Sequence, residues 1–139
     1  MRTKVFLISI WLIIFLTRTA FSQSKAMVLQ ATPDEFQQCI DTCLQKFIFD
    51  VRDSADYKQA IIPESLWCPT KEILLSSTDT LDCNTPILIY CAYGNRGQTA
   101  SQMLVDKGFT MVVHLQNGFN AWQKANKPVY QIKKRGRDE

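Results

Sequence analysis

Short apolar runs recur along most of the chain, separated by polar, turn-forming segments, and each run has the length of a strand rather than a helix. Phe47 to Val51, Ile87 to Tyr90 and Met111 to Leu115 are such runs, and Leu66-Trp67-Cys68 is a shorter one after the turn at Pro63. Phe47 to Val51, with its aromatic and β-branched residues, reads as a buried parallel strand. Helix signals lie between the runs. Thr32 is placed as an N-cap, Pro33 as first helical residue and Glu35 as capping-box partner, which predicts a helix to about Asp41. Asp53 to Gln59 and Thr70 to Leu75 suit short helices. Gly97 to Lys107 carries Ala100, Met103 and Leu104 on one side and stops at Gly108, and Gly118 to Ala125 closes the series. Asp79 to Thr85 is polar and turn-forming. Strands alternating with helices at this spacing predict an α/β fold: a single domain with a mostly parallel sheet flanked by helices.

The first residues break this pattern. Met1 to Lys4 is a short basic segment, Val5 to Leu16 is apolar apart from Ser9, and Ala20-Phe21-Ser22 offers small residues where a signal peptidase reads. Residues 1 to 22 are therefore expected to be a signal peptide cut before Gln23. The apolar stretch is short for a membrane span and Arg18 closes it, so an exported protein, periplasmic or secreted and without a stable membrane anchor, is expected over a retained one. Removing residues 1 to 22 takes away Arg2, Lys4 and Arg18 and no acid, which brings the formal charge from +3 to zero. The basic cluster Lys133, Lys134, Arg135 and Arg137 lies in a C-terminal tail, residues 131 to 139, read as solvated. No basic stripe is interleaved with aromatic residues, so no nucleic-acid partner is expected.

The chemistry points to Cys91. This thiol follows the apolar run Ile87 to Tyr90 directly, and Ala92-Tyr93-Gly94-Asn95-Arg96-Gly97 leads from it into the next helix. A loop folded over a helix N-terminus turns backbone N–H groups inward beside the positive end of the helix dipole, which favours anions and thiolate over thiol. Gly94 permits the turn without a Cβ clash, and Arg96 adds a permanent cation with a planar fork of donors. The competing reading, a cysteine that merely ends a strand as a small hydrophobe, leaves Gly94 and Arg96 without a reason at these offsets.

Cys91-x-x-Gly94-x-Arg96 followed by Gly97 resembles the active loop of the rhodanese (thiosulfate sulfurtransferase) family. Phe47 to Arg52 is similar to the family's strand ending in Asp-Val-Arg, Asp56-Tyr57 to its acidic-Tyr pair, and Ile62-Pro63 to its Ile-Pro turn. Gly108-Phe109 to Val113, Leu115, Gly118-Phe119 and Ala121-Trp122 resemble the closing strand and the Gly-x-x-Ala-Trp helix. The resemblance runs over residues 31 to 130 and implies a rhodanese-like domain there. Ala60-Ile61 stands where the family usually has Gly-His, Glu64 where it has Gly, and Asn117-Gly118 where it has paired glycines.

The resemblance implies a sulfurtransferase in which the Cys91 thiolate takes a sulfane sulfur from a small anionic donor, thiosulfate or one like it. A Cys91 persulfide would pass that sulfur to cyanide or a thiol. Arg96, Ala92, Tyr93, Gly94, Asn95 and Gly97 would bind substrate, with Asp50 and Arg52 in support; for Arg52 a structural ion pair is weighed above anion approach. No cofactor and no metal are called for: Cys39 and Cys43 have no second pair nearby, and His114, the only histidine, reads as a strand-end residue. Two rivals remain. One is a binding or redox module without turnover; the other is a cysteine-based phosphatase or arsenate reductase, whose loops place five residues between Cys and Arg where this chain has four, 92 to 95. Five cysteines in an exported chain leave an odd thiol. Cys91 is the natural remainder, and Cys39, Cys43, Cys68 and Cys83 could form two disulfides in three ways. Alternatively Cys68 or Cys83 would resolve the persulfide by pairing with Cys91, which would call for a thioredoxin-like reductant.

Overall fold

The computed structural model describes residues 26–132, so the leader expected over residues 1 to 22 and the basic cluster from Lys133 onward lie outside the described residues. Among the described residues seven strands and five helices follow one another: β1 (Val28–Ala31), α1 (Pro33–Thr42), β2 (Phe47–Asp50), α2 (Ser54–Tyr57), β3 (Ala60–Ile61), β4 (Leu66–Trp67), α3 (Lys71–Ser77), β5 (Ile87–Tyr90), α4 (Asn95–Lys107), β6 (Val112–Leu115), α5 (Gly118–Lys124) and β7 (Tyr130–Gln131). Five strands form one sheet in the order β1-β6-β5-β2-β4, with every neighbouring pair parallel. β3 and β7 form a separate antiparallel pair.

The period-two alternation of the central strands divides the core into two halves. Ile48, Leu88, Tyr90, Val113 and Leu115 pack with Phe36 of α1 and with Phe119 and Trp122 of α5. Phe49, Ile87, Ile89, Cys91 and Val112 face the other way, onto Leu74 of α3 and Ala100 and Leu104 of α4. All four residues of β5 are buried, as a parallel strand covered on both faces requires. Helix signals in the sequence appear as drawn: Thr32 and Glu35 form a reciprocal capping box at the start of α1, and Gly108 ends α4 in the left-handed region.

Three strands have no counterpart in the hydrophobic pattern. β1 is largely open at the sheet edge, and β3 and β7 are two residues each, formed only because they meet. The short helix expected over Asp53 to Gln59 is confined to α2, because Ala60 and Ile61 are taken into β3. α4 begins at Asn95, two residues earlier than the pattern predicts, so Asn95, Arg96 and Gly97 lie on the helix and the loop proper is Ala92 to Gly94. Glu64, which stands where the resemblance calls for glycine, has a φ of 66°, in the region that glycine occupies without a Cβ penalty.

Candidate active site

Cys91 is the first residue beyond β5, at the carboxyl end of the sheet's central strand. Its Sγ accepts the Gly94 N–H at 3.1 Å. Gly94, at φ 108°, turns the chain into α4 and serves as its N-cap with no side-chain cap, so the first N–H groups of the helix are left to whatever binds in front of them. The loop's carbonyls are taken up from behind: Phe119 N–H donates to the Cys91 oxygen at 2.7 Å and Asn120 N–H to the Ala92 oxygen at 3.1 Å. In a trans peptide the N–H points opposite to the C=O. Holding those two carbonyls against α5 therefore turns the N–H groups of Ala92 and Tyr93 toward the open side. Gly118 makes this approach sterically feasible, since a Cβ there would lie 2.2 Å from the Cys91 oxygen.

A cleft of about 300 Å³ opens at the thiol, lined by Arg52, Asp53, Asp56, Cys91, Ala92, Tyr93, Asn95 and Arg96. Tyr93 is an exposed rim residue. Arg96 is exposed, and its Nη2 donates to the Pro69 carbonyl at 3.1 Å, so it bridges from α4 to the segment after β4. Gly97 does not line this cleft. It is buried on the inner side of α4, where a Cβ would come 2.7 Å from His114 Nε2, so its smallness lets the helix settle on β6.

Asp50 and Arg52 form one buried unit. Arg52 donates from its backbone N–H and Nε to Asp50 Oδ1 at 2.9 Å each and from Nη2 to Oδ2 at 2.6 Å, and Nη2 also reaches the Ala60 carbonyl at 2.7 Å. Tyr90 donates its hydroxyl to Asp50 Oδ2 at 2.9 Å, and the guanidinium lies 4.1 Å over the Phe119 ring. Burial, with the negative charge of Asp50 next in effect, pushes the Tyr90 phenol well above its ordinary range, which keeps it a donor. Arg52 thus reaches the cleft from the opposite face of the sheet to Cys91, with its charge already matched.

From the sequence His114 is expected at a strand end, without a catalytic role. The structure puts its ring under the loop, beside Gly94 and Gly97, with Nδ1 2.7 Å from Gln30 Oε1 and Gln30 in turn bonded to Gln98 of α4. Nε2 is buried without a partner among the described residues. Burial lowers the His114 pKa, opposed by the Gly94 backbone. Only the three-dimensional pairing of β1 with β6 joins Gln30 to His114, so no local pattern points to it.

All five cysteines are free thiols, and the two disulfides expected among Cys39, Cys43, Cys68 and Cys83 are not formed. Topology keeps several of these thiols apart. Cys39 packs on the α1/α5 side of the sheet and Cys68 on the α3/α4 side. Cys68 and Cys91 follow Trp67 and Tyr90, which flank Asp50 from its two sides, so they stand two strand spacings apart, about 9.5 Å. That exceeds the ~7 Å reach of a disulfide. Cys83 precedes β5 and Cys91 follows it, at opposite ends of the strand.

Comparison with known proteins agrees with this architecture. Residues 32–125 match the model of the rhodanese-like domain. The chain is 29% identical over 85 residues to the thiosulfate sulfurtransferase GlpE of Vibrio cholerae, covering 61% of this chain and 79% of that protein. It is 35% identical over 82 residues to the GlpE of Coxiella burnetii, covering 59% and 75%. The solution structure of a rhodanese-like domain from Anabaena superposes with a TM-score of 0.67 at 23% identity, over 81% of this chain and 87% of that one, and so shares the fold. With a five-stranded parallel sheet, a thiol loop at the end of its central strand and a domain match over most of its length, the chain belongs to the rhodanese-like domain family.

Proposed function

We propose that this protein is a sulfurtransferase that moves a sulfane sulfur, from thiosulfate or a similar donor to cyanide or a thiol, through a persulfide on Cys91. The observation that carries the reading is the Gly94 N–H donated to Cys91 Sγ at 3.1 Å, in a loop whose carbonyls are drawn back onto α5. A backbone donor on the sulfur stabilises negative charge there, and the outward-turned amides receive charge that develops on an anionic donor or leaving group. With thiosulfate, the thiolate attacks the outer sulfur, a Cys91–sulfur bond forms, and the sulfur–sulfur bond breaks with its electron pair leaving on sulfite. The Cys91 persulfide anion then yields its terminal sulfur to the acceptor. Relatives named thiosulfate sulfurtransferase support this reading.

The loop length weighs against a phosphatase, as does the Arg96 fork, which is engaged with Pro69 rather than folded over a phosphate-sized cradle. The leader pattern in residues 1 to 22 supports action outside the cytoplasm, where a thioredoxin-like reductant is a fitting thiol partner. The test is thiocyanate formation from thiosulfate and cyanide. The protein should support it and Cys91→Ser should not; retention of the rate by Cys91→Ser would remove Cys91 from the reaction.

A further inference from the structure

We infer that Asp53 and Asp56 make the mouth of the Cys91 cleft a charge filter, which disfavours a dianion such as thiosulfate and selects a sulfur donor that is an organic persulfide, neutral or singly charged. This rests on the sulfurtransferase reading and names its donor. The cleft is lined by two arginines and two aspartates, but their charges do not cancel evenly. Arg52 is already compensated by the buried Asp50, through both oxygens of its carboxylate. Asp53 and Asp56 therefore face the already compensated Arg52 and a single further cation, Arg96, whose Nη2 is engaged with the Pro69 carbonyl. Asp53 spends part of its charge capping α2, where it accepts from the Ala55 and Asp56 N–H groups at 3.1 Å each. Asp56 carries no such cap, and its charge is felt at Arg52. Counted over the lining residues and Asp50, the mouth bears one net negative charge with Cys91 as the thiol and two with it as the attacking thiolate.

A second observation concerns where a carrier group would go. Beyond Arg96 lies a cleft of about 230 Å³ whose walls include Val51, Cys68, Leu74, Ala100 and Met103, with Lys71, Thr70 and Thr99 also lining it. Arg96 lines both spaces, so the thiol site adjoins a largely apolar one that thiosulfate would leave empty and a small organic thiol would fill. The exchange balances without oxidant. Cys91 thiolate attacks the terminal sulfur of R–S–SH, the new bond forms at Cys91 Sγ, and the R–S bond to that sulfur breaks with its electron pair leaving as the thiolate R–S⁻.

The test uses thiosulfate, methanethiosulfonate and benzenethiosulfonate as donors with cyanide as common acceptor; the last two carry one charge fewer and add a methyl or an apolar ring. In Asp56→Asn at low salt, kcat/KM should rise by up to about tenfold for thiosulfate and about threefold for methanethiosulfonate, since the energy of repulsion scales with donor charge. Asp53→Asn, which keeps a capping side chain, should act in the same direction. For the unaltered protein, kcat/KM for thiosulfate should rise with ionic strength, as screened repulsion requires, and benzenethiosulfonate should have a lower KM than methanethiosulfonate. A thiosulfate kcat/KM that falls with salt, or that Asp56→Asn leaves unchanged relative to methanethiosulfonate, overturns the charge filter and leaves sulfur transfer standing. Turnover of none of the three donors overturns both.

Discussion

A methyl group on Gly118 would lie 2.2 Å from the carbonyl oxygen of Cys91, closer than any two such atoms can stand. Gly118 also has a φ of 58°, so a side chain there meets both a clash and backbone strain. Gly118→Ala should lose about 1–3 kcal/mol of stability, as overpacking does elsewhere. Activity should fall further than that, because relief of the clash must move the Cys91 loop. Urea midpoints and initial rates measured side by side check this; a variant with the unaltered rate would show that the α5 clamp does not shape the loop.

Asp50→Asn keeps the shape of the carboxylate and removes its charge, which strands the Arg52 guanidinium in a buried place. Removing one partner of a buried ion pair costs about 3–5 kcal/mol. Asp50→Asn with Arg52→Met should recover part of that loss, because the stranded charge is gone. Equilibrium denaturation of the two single variants and the double one measures the coupling. Additive losses would contradict the pairing.

His114 gives a pH signature. Its folded pKa is lowered, mainly by burial, from the ordinary 6.5. Above that value both folded and unfolded chains carry a neutral ring and the full stability is present. As pH falls from there toward the folded pKa, the unfolded chain takes up a proton that the folded one does not, and stability is lost. The chain has one histidine, so His114→Gln should flatten the dependence in that window. Denaturant midpoints from about pH 7.5 to about pH 5.5 decide it; an equal slope in His114→Gln would contradict burial of a neutral ring.

Features set by local chemistry were legible in the sequence. The capping box of Thr32 and Glu35, the buried runs of β2, β5 and β6, and the turn at Gly94 depend on neighbours a few residues away, and they appear where the pattern puts them. What escaped depends on distant partners. β3 exists only because β7 arrives 70 residues later in its register, Ile61 opposite Tyr130 and Ala60 opposite Gln131. Helix α4 begins at Asn95 because Gly94 turns there, although Gly97 is a poor helix former and drew the expected start inward. Arg96 could be assigned to the mouth from its spacing, but its bond to Pro69 and the matching of Arg52 by Asp50 required the packed sheet. The same holds for the cysteines, whose number invited pairing while the strands keep Cys68 and Cys91 apart.

Sulfur held on Cys91 is read most directly by mass spectrometry of the protein after exposure to thiosulfate and, separately, to methanethiosulfonate, followed by peptide mapping. With at least one donor the peptide containing Cys91 should gain the mass of one sulfur, cyanide should remove it, and Cys91→Ser should gain none. An unchanged mass with both donors, or a sulfur found on Cys39, Cys43, Cys68 or Cys83 in place of Cys91, would contradict a persulfide-carrying role for this loop.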